Sequence, residues 1–192
     1  SYDEAIKRIA RIRTASAKTN KYVGVMLDTK GPEIRVGTFE NGSCSYEKGD
    51  TVFLVNEEVV GNKERFYVNC PEFFEDISVG NEVLIDDGKI ELEVIRIEEK
   101  DVVCKIMNGG ELGNRKSINV PGTHINLPAL KDKDIADLIA GCENDFDYIA
   151  ASFIRCAEDV LAIRKVLNEN GGEKIKIISK IESQEGINNF DS

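Results

Sequence analysis

Two short charged clusters carry side chains suited to chemistry on an anion. One is Lys180-Ile181-Glu182, at the end of an apolar run over 175–181. Side chains alternate along a strand, so Lys180 and Glu182 share a face while Ser179 and Ile181 point the other way. A carboxylate there can hold a divalent cation, and an ammonium beside it can neutralise charge developing on a substrate. A plain surface ion pair would use the same two residues, and spacing does not separate the two readings. The other cluster is Asp28-Thr29-Lys30-Gly31-Pro32-Glu33-Ile34-Arg35, with two acids, two bases and a Gly-Pro in eight residues. It offers cation ligands and phosphate partners on a stiff turn. A polar strand end entering a linker explains the same composition. No GxxxxGK run is present, so any phosphate grip must come from side chains. Arg115-Lys116, Arg155 and His124 are weaker signals: the first reads as a solvated loop, Arg155 equally as a helix-capping or a phosphate-binding residue, and His124 as structural.

These clusters matter because of the elements that precede them. The runs 22–27 (YVGVML), 147–153 (DYIAASF) and 175–181 are short and continuously apolar, the pattern of parallel strands buried on both faces. Ser1 with Glu4 has capping-box spacing, and Ala5, Ile9 and Ile12 recur at helical intervals. Ile135, Leu138, Ile139 and Cys142 predict a helix starting near Asp132, and Val160, Ile163 and Leu167 predict another over 157–169. Strand ends of such an α/β arrangement are where ligands bind.

Between these parts the texture changes. Residues 31–123 hold short β-type runs (TVFLVN, RFYVN, EVLID, KIELEVIRI, DVVCKIM) divided by Gly, Asn and Asp, with no clear helical period. Asp86-Asp87-Gly88 is a hairpin signal, and Asn108-Gly109-Gly110 reads the same way. A small all-β barrel is expected, interrupting an α/β domain formed by 1–30 and 124–192. The junctions, at Lys30-Gly31-Pro32 and over 120–127, both contain Pro and Gly.

Composition narrows the function. The 192 residues carry 25 Lys+Arg against 35 Asp+Glu, a net charge of −10 that disfavours nucleic acid or an anionic membrane as partner. No apolar run approaches the ~18 residues of a membrane span. Five cysteines without a CxxC pair, and a single histidine, fit free thiols in a reducing cytoplasm rather than zinc.

The assembled motifs closely resemble the pyruvate kinase family: LDTKGPEIR (27–35), LIDDGKI (84–90), NGGELG through NVPG (108–122), LPALKDKD (127–134), ASFIR (151–155) and ISKIESQEGINNFD (178–191). The resemblance implies a (β/α)8 barrel whose strands three, four and five are 22–28, 147–153 and 175–181, with a β-barrel lid inserted after strand three. It implies phosphoryl transfer from phosphoenolpyruvate to ADP, giving pyruvate and ATP in glycolysis. Lys180 resembles the lysine that neutralises the transferring group, and Glu182 a ligand of Mg²⁺ (or Mn²⁺). Asp28, and Thr29 through its carbonyl, resemble ligands of K⁺, and Glu33 stands where K⁺-dependent members carry Glu. Arg35 and Lys116 resemble contacts to the nucleotide phosphates.

The resemblance also implies a longer parent, likewise cytoplasmic and homo-tetrameric. Other parts of the family's barrel supply an Arg, an Asn, a Ser, a Thr and a second metal carboxylate. The chain by itself is therefore expected to be inactive and to self-associate. The alternative is a nucleotide-binding or regulatory module without catalysis.

Overall fold

The computed structural model describes residues 2–192, with side chains from residue 4 onward. The Ser1–Glu4 cap lies outside the described residues. The chain divides into two units: residues up to Pro32 with Pro128–Glu182 and Gly186–Ser192, and Glu33–Leu127 with Ser183–Glu185.

In the first unit, helix α1 (Tyr2–Thr19) precedes strand β1 (Met26–Asp28), which pairs in parallel with β11 (Tyr148–Ala151). Strand β11 pairs in parallel with β12 (Lys176–Ser179), so the sheet order is β1-β11-β12. Helices α3 (Asp132–Glu143) and α4 (Ala157–Glu169) flank this sheet in sequence. Their apolar positions Leu138, Ile163 and Leu167 form a core with Ile149 and Ala151, joined by the half-buried Leu27 and Ile177. Register places Leu27, Ile149 and Ile177 side by side, which puts one face of all three strands against the helices.

The strand expected over 22–28 is shorter and less buried than its apolar run suggests. Only 26–28 pairs, Tyr22 is 77% exposed and Met26 is 54% exposed. Strand β1 stands at the edge of the sheet β1-β11-β12, and β11 is its partner there. What holds 22–25 is Asp147 instead. Its carboxylate accepts hydrogen bonds from the Tyr22 hydroxyl, the Val25 amide (2.7 Å) and Arg13 Nη2 (2.8 Å).

The second unit is mostly β. Its seven-stranded sheet has the order β2-β10-β6-β7-β8-β4-β5, built from β2 (Ile34–Arg35), β10 (Ser117–Asn119), β6 (Glu82–Ile85), β7 (Ile90–Glu98), β8 (Asp101–Ile106), β4 (Thr51–Val55) and β5 (Arg65–Tyr67). The outer strands meet. A Val36–Val68 bridge, the Gly37 amide on the Tyr67 carbonyl (2.8 Å) and the Asn69 amide on the Arg35 carbonyl (3.1 Å) join the β2 edge to the β5 edge. A two-stranded sheet, β3 (Ser43–Tyr46) with β9 (Gly110–Gly113), completes the unit. The interior is filled by Phe66, Phe73, Leu54, Leu92, Ile85 and Leu112, all buried. Burial likewise pushes the Cys104 thiol up to about 12.

Asp86, Asp87 and Gly88 form the β6–β7 hairpin with φ of 53°, 58° and 82°, the left-handed values such a turn requires. The Asn108-Gly109-Gly110 cluster behaves differently. It leads from β8 into β9, which pairs with β3, so it is a change of sheet rather than a hairpin. The Asn108 side chain stabilises the change by accepting from the Glu91 amide and donating to the Lys89 carbonyl. A short helix, α2 (Pro71–Asp76), also interrupts the expected all-β block. Six residues are too few to display a helical period, although Pro at its first turn is a start signal.

Candidate active site

Parallel pairing aligns the carboxyl ends of β1, β11 and β12, and the first candidate group stands there. Asp28 closes β1, Ser152 and Phe153 follow β11, and Lys180 and Glu182 follow β12. Backbone bonds continue the ladder past the strand: the Lys180 amide donates to the Ala151 carbonyl (2.9 Å) and the Ile154 amide to the Lys180 carbonyl (3.1 Å). With its backbone so fixed, Lys180 reaches across the end of the middle strand. Its Nζ lies 2.9 Å from Asp28 Oδ1 and 3.8 Å from Glu182 Oε1. The Glu182 carboxylate also accepts from the Phe153 amide at 2.9 Å, and Phe153 holds a φ of 56°. A bulky residue at positive φ is strained, which marks a segment shaped by its surroundings.

Thr29 is buried, and its side chain is engaged. Thr29 Oγ1 accepts from the Ser152 amide (3.2 Å), and the Thr29 amide donates to the Ala150 carbonyl (3.0 Å). Ser152 Oγ lies within hydrogen-bonding distance of both the Thr29 carbonyl and Asp28 Oδ1 (3.2 Å). Its single proton serves one of them at a time. Three oxygens of different kinds (carboxylate, carbonyl, hydroxyl) thus converge, a donor set suited to a hard cation. The turn that follows is held by Asp134, 2% exposed, whose carboxylate accepts from the Gly31 amide (3.2 Å) and the Lys131 amide (3.1 Å).

The second candidate group belongs to the other unit. Arg35 on β2 is opposite Ser117 on β10, and the Val36 amide donates to the Lys116 carbonyl at 2.9 Å. That ladder sets the backbones of Arg35 and Lys116 on neighbouring strands although they are far apart in the chain. Glu33 grips the Arg35 guanidinium with both oxygens, at 2.7 and 2.8 Å, and Arg35 Nη1 donates to the Arg115 carbonyl at 2.6 Å. The hydrogen bonds to Glu33 hold Arg35 even further above its ordinary value, against the opposing effect of burial. Lys116 Nζ lies 3.1 Å from Asp86 Oδ1.

The weaker sequence signals resolve differently. Arg155 Nε and Nη2 both bond the Asp159 carboxylate, with side chains only 12% and 7% exposed, so Arg155, just before α4, forms a buried pair with the first turn of that helix. His124 Nδ1 bonds Glu185 at 2.8 Å.

Ser152 and Asp86 were not singled out as site residues from sequence. The two-residue period beyond β11 places Ser152 on the same side as Ala150, the register partner of Asp28, and could have indicated it. Asp86 was visible only as a turn residue.

Comparison with known proteins agrees with the motifs. The family model for the pyruvate kinase barrel domain matches residues 1–192. A pyruvate kinase of Clostridium acetobutylicum is 49% identical over 186 residues, covering 96% of this chain and 39% of that protein. Those of Bacillus licheniformis and Geobacillus stearothermophilus are 44% and 43% identical, over 100% and 99% of this chain and 33% of each relative. The chain therefore spans about a third to two-fifths of the length of these relatives. A match along every residue, at identities this high, means that the chain belongs to the pyruvate kinase family.

Proposed function

We propose that these residues form part of an enzyme that moves a phosphoryl group from phosphoenolpyruvate to ADP, giving pyruvate and ATP in glycolysis. In this reading β1, β11 and β12 are barrel strands three, four and five, and 31–123 is an inserted β-barrel lid. Residues 1–30 and 124–192 then belong to the catalytic barrel. The observation that carries the reading is the Lys180 ammonium, held at the strand ends 2.9 Å from Asp28 and 3.8 Å from Glu182. Phosphoryl transfer is largely positioning plus electrostatic stabilisation, and a fixed ammonium is a fitting device for it.

The donor sets fit the implied ions. Glu182 offers a carboxylate with one oxygen fixed by the Phe153 amide, suited to Mg²⁺ (or Mn²⁺), which keeps several waters and needs few protein ligands. Asp28, the Thr29 carbonyl and Ser152 Oγ would hold K⁺. When bound, the divalent ion polarises phosphoryl oxygens and orients the substrate. Lys180 neutralises the charge that accumulates on the transferring group. Arg35 and Lys116 hold nucleotide phosphates, with the Arg35 fork set by Glu33. Replacing Glu33 by Lys would therefore release Arg35 as well as alter cation dependence.

The parent enzyme is read as cytoplasmic and homo-tetrameric. Cys44, Cys104, Cys142 and Cys156 are unoxidised thiols, consistent with a reducing compartment, and no helix among the described residues is long and apolar enough to cross a membrane. The family draws further site residues from outside this segment, so these residues alone should not turn over and should self-associate.

The test is Lys180→Met in a polypeptide extending these residues to the length of the relatives. A kcat loss of about three orders of magnitude or more is expected, with divalent binding retained. A loss of tenfold or less, about 1.4 kcal/mol, would remove Lys180 from the reacting centre.

A further inference from the structure

Lys116 ends a flexible four-carbon stem, and an ammonium on such a stem is a mobile point charge unless something locates it. Two features do. Lys116 Cε packs over Gly113, where an added Cβ would lie 3.3 Å from it, so the absence of a side chain there provides the bed for the stem. At the tip, Asp86 Oδ1 accepts Nζ at 3.1 Å. Asp86 is itself anchored: its amide donates to the Ser117 carbonyl (3.0 Å), tying the β6–β7 turn to the residue next to Lys116. Its other oxygen takes Lys89 Nζ at 2.9 Å. Those two lysines, Lys89 first, hold the Asp86 carboxyl below the usual carboxylate range, so it is ionised at neutral pH.

From this geometry we infer that Asp86 is a positioning residue, presenting the Lys116 ammonium to an anionic phosphate group of the nucleotide. The inference rests on the reading of Lys116 as a nucleotide contact. An ammonium has three donors, and one directed at Asp86 leaves the others for a ligand. The Lys116 side chain is 39% exposed, so those donors face solvent. The paired groups Lys89, Asp86 and Lys116 bear one net positive charge, and the neighbouring Asp87 carboxylate acts on Lys89, so Asp86 locates Lys116 within a patch of mixed charge.

Charge and positioning make opposite forecasts for Asp86→Asn. The substitution is tolerated by the turn, because Asp86 has a φ of 53° and Asn adopts that region readily. It removes one negative charge from beside Lys116, so electrostatics alone would tighten nucleotide binding. Positioning predicts weaker binding.

In the extended polypeptide, Asp86→Asn should raise KM for MgADP about fivefold and leave KM for phosphoenolpyruvate within about twofold. Lys116→Met should raise KM for MgADP about tenfold, and the double variant should equal Lys116→Met alone, since Asp86 acts through that lysine. A lower KM for MgADP in Asp86→Asn would overturn the proposal. So would multiplicative effects in the double variant, or equal losses for both substrates with a lowered Tm. If Lys116→Met itself leaves KM for MgADP unchanged, the reading of Lys116 fails and the role of Asp86 falls with it.

Discussion

The second unit closes its sheet through Val36 and Val68 and fills the inside with Phe66, Leu54 and Leu92, whereas the core of the first unit lies between α3, α4 and the Leu27, Ile149 and Ile177 face of three strands. The cations follow the same division. Arg35 is clamped by Glu33 two residues away, and Lys116 by a turn that the same ladder carries. Folding of that unit is enough to set both. Lys180 instead takes its closest carboxylate from β1, and it reaches that carboxylate only because β11 aligns the strands between them. A charge located by local strand pairing tolerates changes elsewhere, whereas a charge located by a parallel sheet depends on every strand in that sheet.

The sharpest way to break this contrast is to empty the closed core. Phe66 is buried between Phe39 and Tyr46, with ring centroids at 5.9 and 6.4 Å. Phe66→Ala should destabilise the second unit by about 3–5 kcal/mol. Amide exchange in β6–β8 should accelerate accordingly, with exchange in β11 and β12 unchanged. Parallel acceleration in both units would mean that they unfold together and that the distinction is only geometric.

A smaller loss is expected at the first turn of the site. Gly31 has φ +70°, and a Cβ there would lie 2.7 Å from the Ser152 carbonyl oxygen, a backbone atom with little room to yield. Gly31→Ala should destabilise the first unit by about 2–3 kcal/mol. A denaturant midpoint unchanged from the parent would show that the 28–32 turn is not constrained by β11.

The mildest test concerns the anchor of 22–25. Burial raises the Asp147 carboxyl, but the Tyr22 hydroxyl, the Val25 amide and Arg13 together outweigh it and hold it below the ordinary value. A depressed folded pKa gives stability that is complete above the unfolded value of about 3.9 and is lost as pH falls through the folded value. Asp147→Asn should cost about 1–2 kcal/mol at neutral pH and flatten that acid limb. An unchanged slope of stability below about pH 5 would assign the limb to other carboxylates.

Much of this was readable from residue order. Helices α3 and α4 announced themselves because apolar residues at three- and four-residue spacing must share a helix face, and the Asp86-Asp87-Gly88 hairpin because few residues accept positive φ. The family motifs singled out Lys180, Glu182, Asp28, Thr29, Arg35 and Lys116, whereas the strand alternation expected for Lys180 and Glu182 does not apply, because β12 ends at Ser179 and both residues follow it. Sequence spacing could not choose between a surface ion pair and a metal-assisted site at Lys180 and Glu182, and it gave no sign that Lys180 also meets Asp28, a partner from another strand. It overestimated β1, because apolar composition records what a segment can bury and not how many neighbours it has. It took Asn108-Gly109-Gly110 for a hairpin, because a turn-forming sequence specifies local backbone angles and leaves the next pairing partner open. Residue order determined the local conformations and the inventory of charged groups. Only the tertiary structure decided which charges meet, because an ion pair needs contact within about 4 Å and strand pairing, not chain distance, brings residues that close.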